Sequence, residues 1–134
     1  MVGSRTAKIP VPSESAEQKA VIRWFAAFAA TRNLDARLLF AIPNGAVLAG
    51  NSQRRAIQMS NLKANGLRVG VPDLMLAVPR GGFNGLFVEM KRVGGKTSDA
   101  QLEYHALLRE QGYAVRVCTG AESAIVAIRL YLDA

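Results

Sequence analysis

Apolar residues in the first part of the chain recur at the spacing of an α-helix. The stripe consists of Val21, Trp24, Phe25 and Phe28. A start signal at Ser13 or Ser15 precedes it, so we predict a helix that runs to about Arg32.

Further along the chain, short apolar runs alternate with amphipathic segments. We predict strands over residues 37–42, 73–78, 85–91 and 113–118, and helices over residues 52–64, 98–111 and 121–132. The Gly81-Gly82 turn predicts that the second and third strands form a hairpin. The order α-β-α-β-β-α-β-α indicates an α/β fold with a central mixed β-sheet flanked by α-helices.

Length and composition exclude several classes of protein. A chain of 134 residues, half of them hydrophobic, suits one folded domain, which we assign to residues 13–134 after a flexible arm at residues 1–12. No apolar run approaches the roughly 20 residues of a membrane span, and the first 15 residues lack the apolar segment of a signal peptide. Cys118 is the only cysteine, which excludes a disulfide framework or a zinc–thiolate cluster. We therefore expect a cytoplasmic protein with no membrane partner.

The net charge of +7 is unevenly distributed. Residues 36–72 contain five basic and no acidic residues, whereas residues 73–134 contain seven of each. A polyanion such as DNA is the natural partner of such a surplus, and a solubilising surface is the alternative. The candidate DNA contacts on the second predicted helix are Arg54, Arg55 and Lys63.

Two carboxylates and a lysine lie in otherwise apolar strands. Asp73 begins one strand, and alternation places Glu89 and Lys91 on the same face of the next. In a hairpin, Asp73 and Glu89 can become neighbours, and two close carboxylates repel unless a cation joins them. Mg²⁺ is typically held by one or two carboxylates, and it can activate water and stabilise charge on a phosphate. Lys91 would then orient or deprotonate the water; a structural acid–lysine cluster is the alternative interpretation.

Three motifs resemble those of the VRR-NUC (virus-type replication–repair nuclease) domain, which belongs to the PD-(D/E)xK nuclease superfamily. They are Gly70-Val71-Pro72-Asp73-Leu74, Val88-Glu89-Met90-Lys91 and Ser98-Asp99-Ala100-Gln101. The resemblance extends from about Glu17 to Leu132 and implies a restriction-endonuclease-like core. It implies that Mg²⁺ or Mn²⁺ is bound by Asp73, Glu89 and the Met90 backbone carbonyl, with Lys91 as the catalytic lysine.

The same resemblance implies site roles for Glu17 and Gln101. Glu17 shares a helix face with Val21 and Phe28, which favours an inward position as a metal ligand or a neighbour of one. An acidic residue in the first turn of a helix, stabilised by the helix dipole, is an equally good interpretation. Gln101 follows Ser98 by three residues, which is the pattern of a capping box, and a cap is compatible with a site role.

Other residues beside the proposed site are less specific. Arg92 and Lys96 are candidate phosphate contacts or parts of a solvated loop, and Asn44 is a turn residue that can also face the site. We interpret His105 as ordinary helix packing or surface.

The sequence as a whole predicts a metal-dependent, structure-specific DNA endonuclease that hydrolyses phosphodiester bonds. Similarity to minimal, phage-type members of the family suggests a four-way (Holliday) junction as substrate, in a bacterial or phage-infected cell. Two symmetric nicks in a junction favour a homodimer. The alternatives are a flap, replication-repair or restriction-type nuclease and, from another class, a non-cleaving DNA-binding module. No small-molecule cofactor beyond the metal is expected.

Overall fold

The computed structural model describes residues 10–43 and 48–134, which form one four-stranded sheet with helices packed on it. The helices are α1 (Glu14–Phe28), α2 (Ser52–Ala64), α3 (Asp99–Glu110) and α4 (Gly120–Leu132). The strands are β1 (Leu39–Ala41), β2 (Leu74–Leu76), β3 (Leu86–Lys91) and β4 (Ala114–Thr119). The predicted α/β class, with a central mixed sheet and flanking helices, is confirmed.

The strands lie in the order β1-β2-β3-β4. β2 pairs antiparallel with both β1 and β3, whereas β3 and β4 are parallel. In the hairpin, Leu74 lies opposite Val88, which brings Asp73 beside the end of β3. Lys91 lies opposite Thr119, so the start of β2 and the ends of β3 and β4 meet at one edge of the sheet.

β3 is buried along its whole length and serves both faces of the sheet. Leu86, Val88 and Met90 belong to the hydrophobic core, which also contains residues of α1 and α4. Glu89 and Lys91 bond instead to α3, on the other face. Alternation along one strand therefore separates the core from a polar cluster.

The structure differs from the predicted elements mainly between α1 and β1. The α-helix ends at Phe28 and continues as a 3₁₀ turn over Ala29–Arg32. Arg37 is not in a strand, because its backbone N–H and its side chain both donate hydrogen bonds to the Asp35 carboxylate. Asp35 thereby caps a second 3₁₀ turn.

The predicted flexible arm and Asn44 lie partly or wholly outside the described residues. Residues 10–12 have no regular secondary structure, and the rest of the predicted arm lies outside the described residues, as does Asn44. Each described helix falls short, in length or in hydrophobicity, of what a membrane crossing requires.

Candidate active site

A cleft of about 390 Å³ opens at the edge of the sheet where β2 begins and β3 ends. Its wall contains three carboxylates and an amide, contributed by Glu14, Asp73, Glu89 and Gln101. Residues 67–71 and Met59 of α2 supply most of the remaining lining. The cleft thus gathers groups from α1, α2, α3 and β3 and from the loop that precedes β2.

Asp73 is positioned by the tight loop that precedes β2. Gly70 has a φ of +94°, and a Cβ at this residue would collide with the Ala100 carbonyl oxygen of α3, so only glycine fits. Pro72 is buried, and the next residue, Asp73, accepts a hydrogen bond from the Met90 backbone N–H at 2.7 Å. The Asp73 carboxylate therefore accepts the Met90 hydrogen bond that a backbone carbonyl of the neighbouring strand would otherwise accept.

Glu89 is a buried carboxyl group with 2% of its surface exposed. Its Oε1 accepts a hydrogen bond from Gln101 Nε2 at 2.8 Å and lies 3.7 Å from Lys91 Nζ. Burial, together with the nearby Asp73 charge, raises the pKa of Glu89 to about 8, although Lys91 acts in the opposite direction. Without a metal, Glu89 therefore holds a proton at neutral pH.

Gln101 joins Lys91 to Glu89. Its Oε1 accepts hydrogen bonds from Lys91 Nζ at 2.8 Å and from the Ser98 backbone at 2.9 Å. The Ser98 hydroxyl in turn accepts from the Gln101 backbone, which completes a capping box. The capping box is confirmed, and the same side chain contacts both Lys91 and Glu89, so the site role of Gln101 stays a prediction that this geometry permits.

His105 lies beside the same carboxyl group. It is 1% exposed, and its Nε2 is 3.6 Å from Glu89 Oε2. Burial, followed by the charges of Arg109 and Lys91, lowers the pKa of His105, so the imidazole is neutral at neutral pH. The sequence predicts helix packing or surface for His105, and the structure adds the contact with Glu89. The signal for this position is its place one helical turn after Gln101.

The structure does not bring Glu17 to the cleft. Glu17 Oε2 accepts a hydrogen bond from the Ala121 backbone N–H at the start of α4, where Thr119 supplies no side-chain cap. Among the described residues, the acid of α1 that lines the cleft is Glu14. The inward direction predicted for Glu17 leads to the start of α4, and Glu14, nearly one turn earlier, lines the cleft.

The predicted DNA contacts are exposed. Arg54, Arg55 and Lys63 lie on α2, a helix with no buried residue, and none of them forms an ion pair with a described residue. Arg55, Met59 and Lys63 are spaced by four residues and share one helix face, and Met59 lines the cleft. Arg92 and Lys96 are exposed in the loop that follows β3.

The residues fit a hard divalent cation that is held partly by water and substrate. Within residues 10–43 and 48–134, no group of three His, Cys, Asp or Glu side chains is arranged to hold a metal ion. Mg²⁺ does not require such a cage, since one or two carboxylates with other oxygens are typical. Asp73 and Glu89 supply two carboxylates, and the Met90 carbonyl lies on the same side of β3 as the N–H that bonds Asp73.

A second cavity, of about 380 Å³, lies between β4 and α4. Its described lining includes Cys118, Ser123 and Tyr131 but no acidic side chain, and burial raises the pKa of the Cys118 thiol. This cavity therefore lacks the acidic groups that line the first cleft.

The adjacent Pro72-Asp73 pair and the Glu89-Met90-Lys91 run, brought together at one sheet edge, define a nuclease of the PD-(D/E)xK type. The model of the VRR-NUC domain matches residues 9–122, and the chain belongs to this family. A solved structure described as a VRR_NUC domain protein is similar in fold, with a TM-score of 0.73 and 22% identity. The similarity covers 92% of this chain and 91% of that chain. Comparison with curated proteins found no significant match.

Proposed function

We propose that this protein is a metal-dependent, structure-specific DNA endonuclease that hydrolyses phosphodiester bonds in branched DNA, with the four-way junction as its preferred substrate. The observation that supports this most is the linked set of Asp73, Glu89, Gln101 and Lys91 in a chain of the VRR-NUC family. A structural cluster would not need two adjacent carboxylates of which one is buried with a raised pKa.

Asp73, Glu89 and the Met90 carbonyl are the groups that would hold Mg²⁺ or Mn²⁺. Such a cation would polarise the attacking water and offset negative charge on the phosphate. Gln101 holds Glu89 Oε1 and Lys91 Nζ at 2.8 Å each, so it fixes the distance between carboxylate and ammonium. This arrangement limits side-chain motion before substrate binds.

Lys91 is the group that would orient the reacting oxygen. Its ammonium has three N–H donors, and Gln101 accepts from one of them. The remaining donors can hold a water or a non-bridging phosphate oxygen. Positive charge at this point favours the additional negative charge of the transition state.

A substrate panel tests this function. Labelled duplex, flap and four-way junction DNAs are incubated with Mg²⁺ or Mn²⁺, and cleavage is compared for the wild type, Asp73→Ala and Lys91→Ala. We expect junction cleavage that requires the metal and both side chains. Persistent cleavage by either variant would refute the site, and preferred cleavage of flaps would favour a flap nuclease. Binding without any cleavage or metal-dependent change in Tm would favour a DNA-binding module.

A further inference from the structure

Two buried polar atoms face each other behind the cleft. In the described chain, Glu89 Oε2 and His105 Nε2 are the two buried side-chain polar atoms without a hydrogen bond. They lie 3.6 Å apart, just beyond a normal hydrogen bond, and both side chains are at least 98% buried. Buried polar groups are nearly always satisfied, so a facing pair of unsatisfied atoms requires an explanation.

The geometry of α3 provides one. Gln101 and His105 are four residues apart and therefore lie on one face of the helix. Gln101 already donates to Oε1 of Glu89, and His105 faces Oε2 of the same group. One helix thus aims one side chain at each oxygen of a single carboxyl group.

We propose that His105 is a positioning residue that donates a hydrogen bond from Nε2 to Glu89 Oε2 when Glu89 binds a divalent cation. This inference rests on the proposed function, because it assigns Glu89 to a metal. A neutral imidazole with its proton on Nε2 can make this bond without adding charge to the site. Mutation of a residue that hydrogen-bonds a metal-binding side chain commonly lowers metal affinity about 10- to 100-fold.

The test compares Mn²⁺ binding, measured as the midpoint of a calorimetric titration at constant temperature, in the wild type, His105→Gln and His105→Met. Glutamine and methionine have similar length and volume, but only glutamine retains a donor. We expect His105→Met to raise the Mn²⁺ midpoint about 10- to 100-fold, whereas His105→Gln stays closer to the wild type. Leu107→Ala, an exposed position on α3, is the control and should leave the midpoint unchanged.

A folded His105→Met variant with a wild-type Mn²⁺ midpoint would overturn the inference. An equal rise of the Mn²⁺ midpoint in His105→Gln and His105→Met would also overturn the inference, because this result would show that the imidazole ring matters only for packing. If His105→Met does not fold, His105→Phe replaces it, since phenylalanine keeps a planar ring without a donor. Absence of Mn²⁺ binding by the wild type would instead refute the metal site of the proposed function.

Discussion

The ionisation of Glu89 depends on which positive charges are beside it. Lys91 Nζ lies 3.7 Å away and favours the carboxylate, but burial and Asp73 prevail and raise the pKa to about 8. The folded protein therefore binds a proton that the unfolded chain releases near the ordinary value of 4.5. A divalent cation must displace this proton, which couples metal binding to pH.

This coupling predicts the pH dependence of stability without metal. Because the pKa of Glu89 is higher in the folded state, the free energy of unfolding should fall as pH rises from about 4.5 to about 8 and then level off. Urea unfolding in EDTA, for the wild type and Glu89→Gln, measures the effect as the difference between the two proteins. A difference that stays constant across this pH range would contradict the raised pKa.

The two glutamates of α1 give a second prediction at the residue scale. Glu17→Gln weakens an anionic cap on α4, so we expect a lower Tm with the Mn²⁺-dependent rise in Tm retained. Glu14→Gln removes an acid from the cleft wall, so we expect slower cleavage or a higher Mn²⁺ requirement with little change in the metal-free Tm. The reverse pattern would restore Glu17 as the site residue.

At the scale of elements, the sequence was most informative where periodicity and capping agree. The helices α2, α3 and α4 were predicted within about two residues, because amphipathic spacing and turn residues mark both ends. The start of β1 was not predicted correctly. Hydrogen bonds from Arg37 to Asp35 hold a local turn there, although the apolar run that follows favours a strand. For the site, strand alternation indicated that Glu89 and Lys91 share a face, whereas the position of Glu14 depends on how α1 docks on α4.

Helix α2 combines an exposed basic surface with a position at the cleft. Arg55 and Lys63 flank Met59 on the face that lines the cleft, whereas Arg54 lies one turn before Gln58, which bonds to Ala49. We therefore expect unequal contributions from three basic residues that the sequence alone does not distinguish.

The prediction compares two double variants of equal charge. Arg55→Gln/Lys63→Gln should weaken binding to all DNA sequences and reduce the slope of log affinity against log salt by about two. Arg54→Gln/Arg23→Gln removes the same charge, but with Arg23 on the exposed side of α1 we expect a smaller change in slope. Fluorescence anisotropy at several salt concentrations measures both slopes, and equal slopes would mean that the α2 face is only a solubilising surface.

At the scale of the whole molecule, charge and chemistry occupy neighbouring parts. Residues 73–134 are electrically balanced and contain the acid–lysine site, whereas the surplus lies in residues 36–72, which include α2. When no cation is bound, the acidic groups of the cleft other than the protonated Glu89 repel a phosphate, and the adjacent basic helix attracts it. Binding of DNA and loading of metal are therefore expected to reinforce each other.

The homodimer expected from the sequence for a four-way-junction nuclease makes a prediction that a single active subunit does not share. The described part of each chain contains one acid–lysine site, so a junction nicked on two strands requires two subunits with intact sites. In protein co-expressed from wild-type and Lys91→Ala genes in equal amounts, about one dimer in four has two intact sites if subunits mix at random. On a plasmid with an extruded cruciform, linear product from paired nicks should fall with the square of the wild-type fraction, while nicked circles accumulate. A fall in simple proportion to the wild-type fraction, without additional nicked circles, would show that one subunit makes both cuts and would refute the dimeric resolvase.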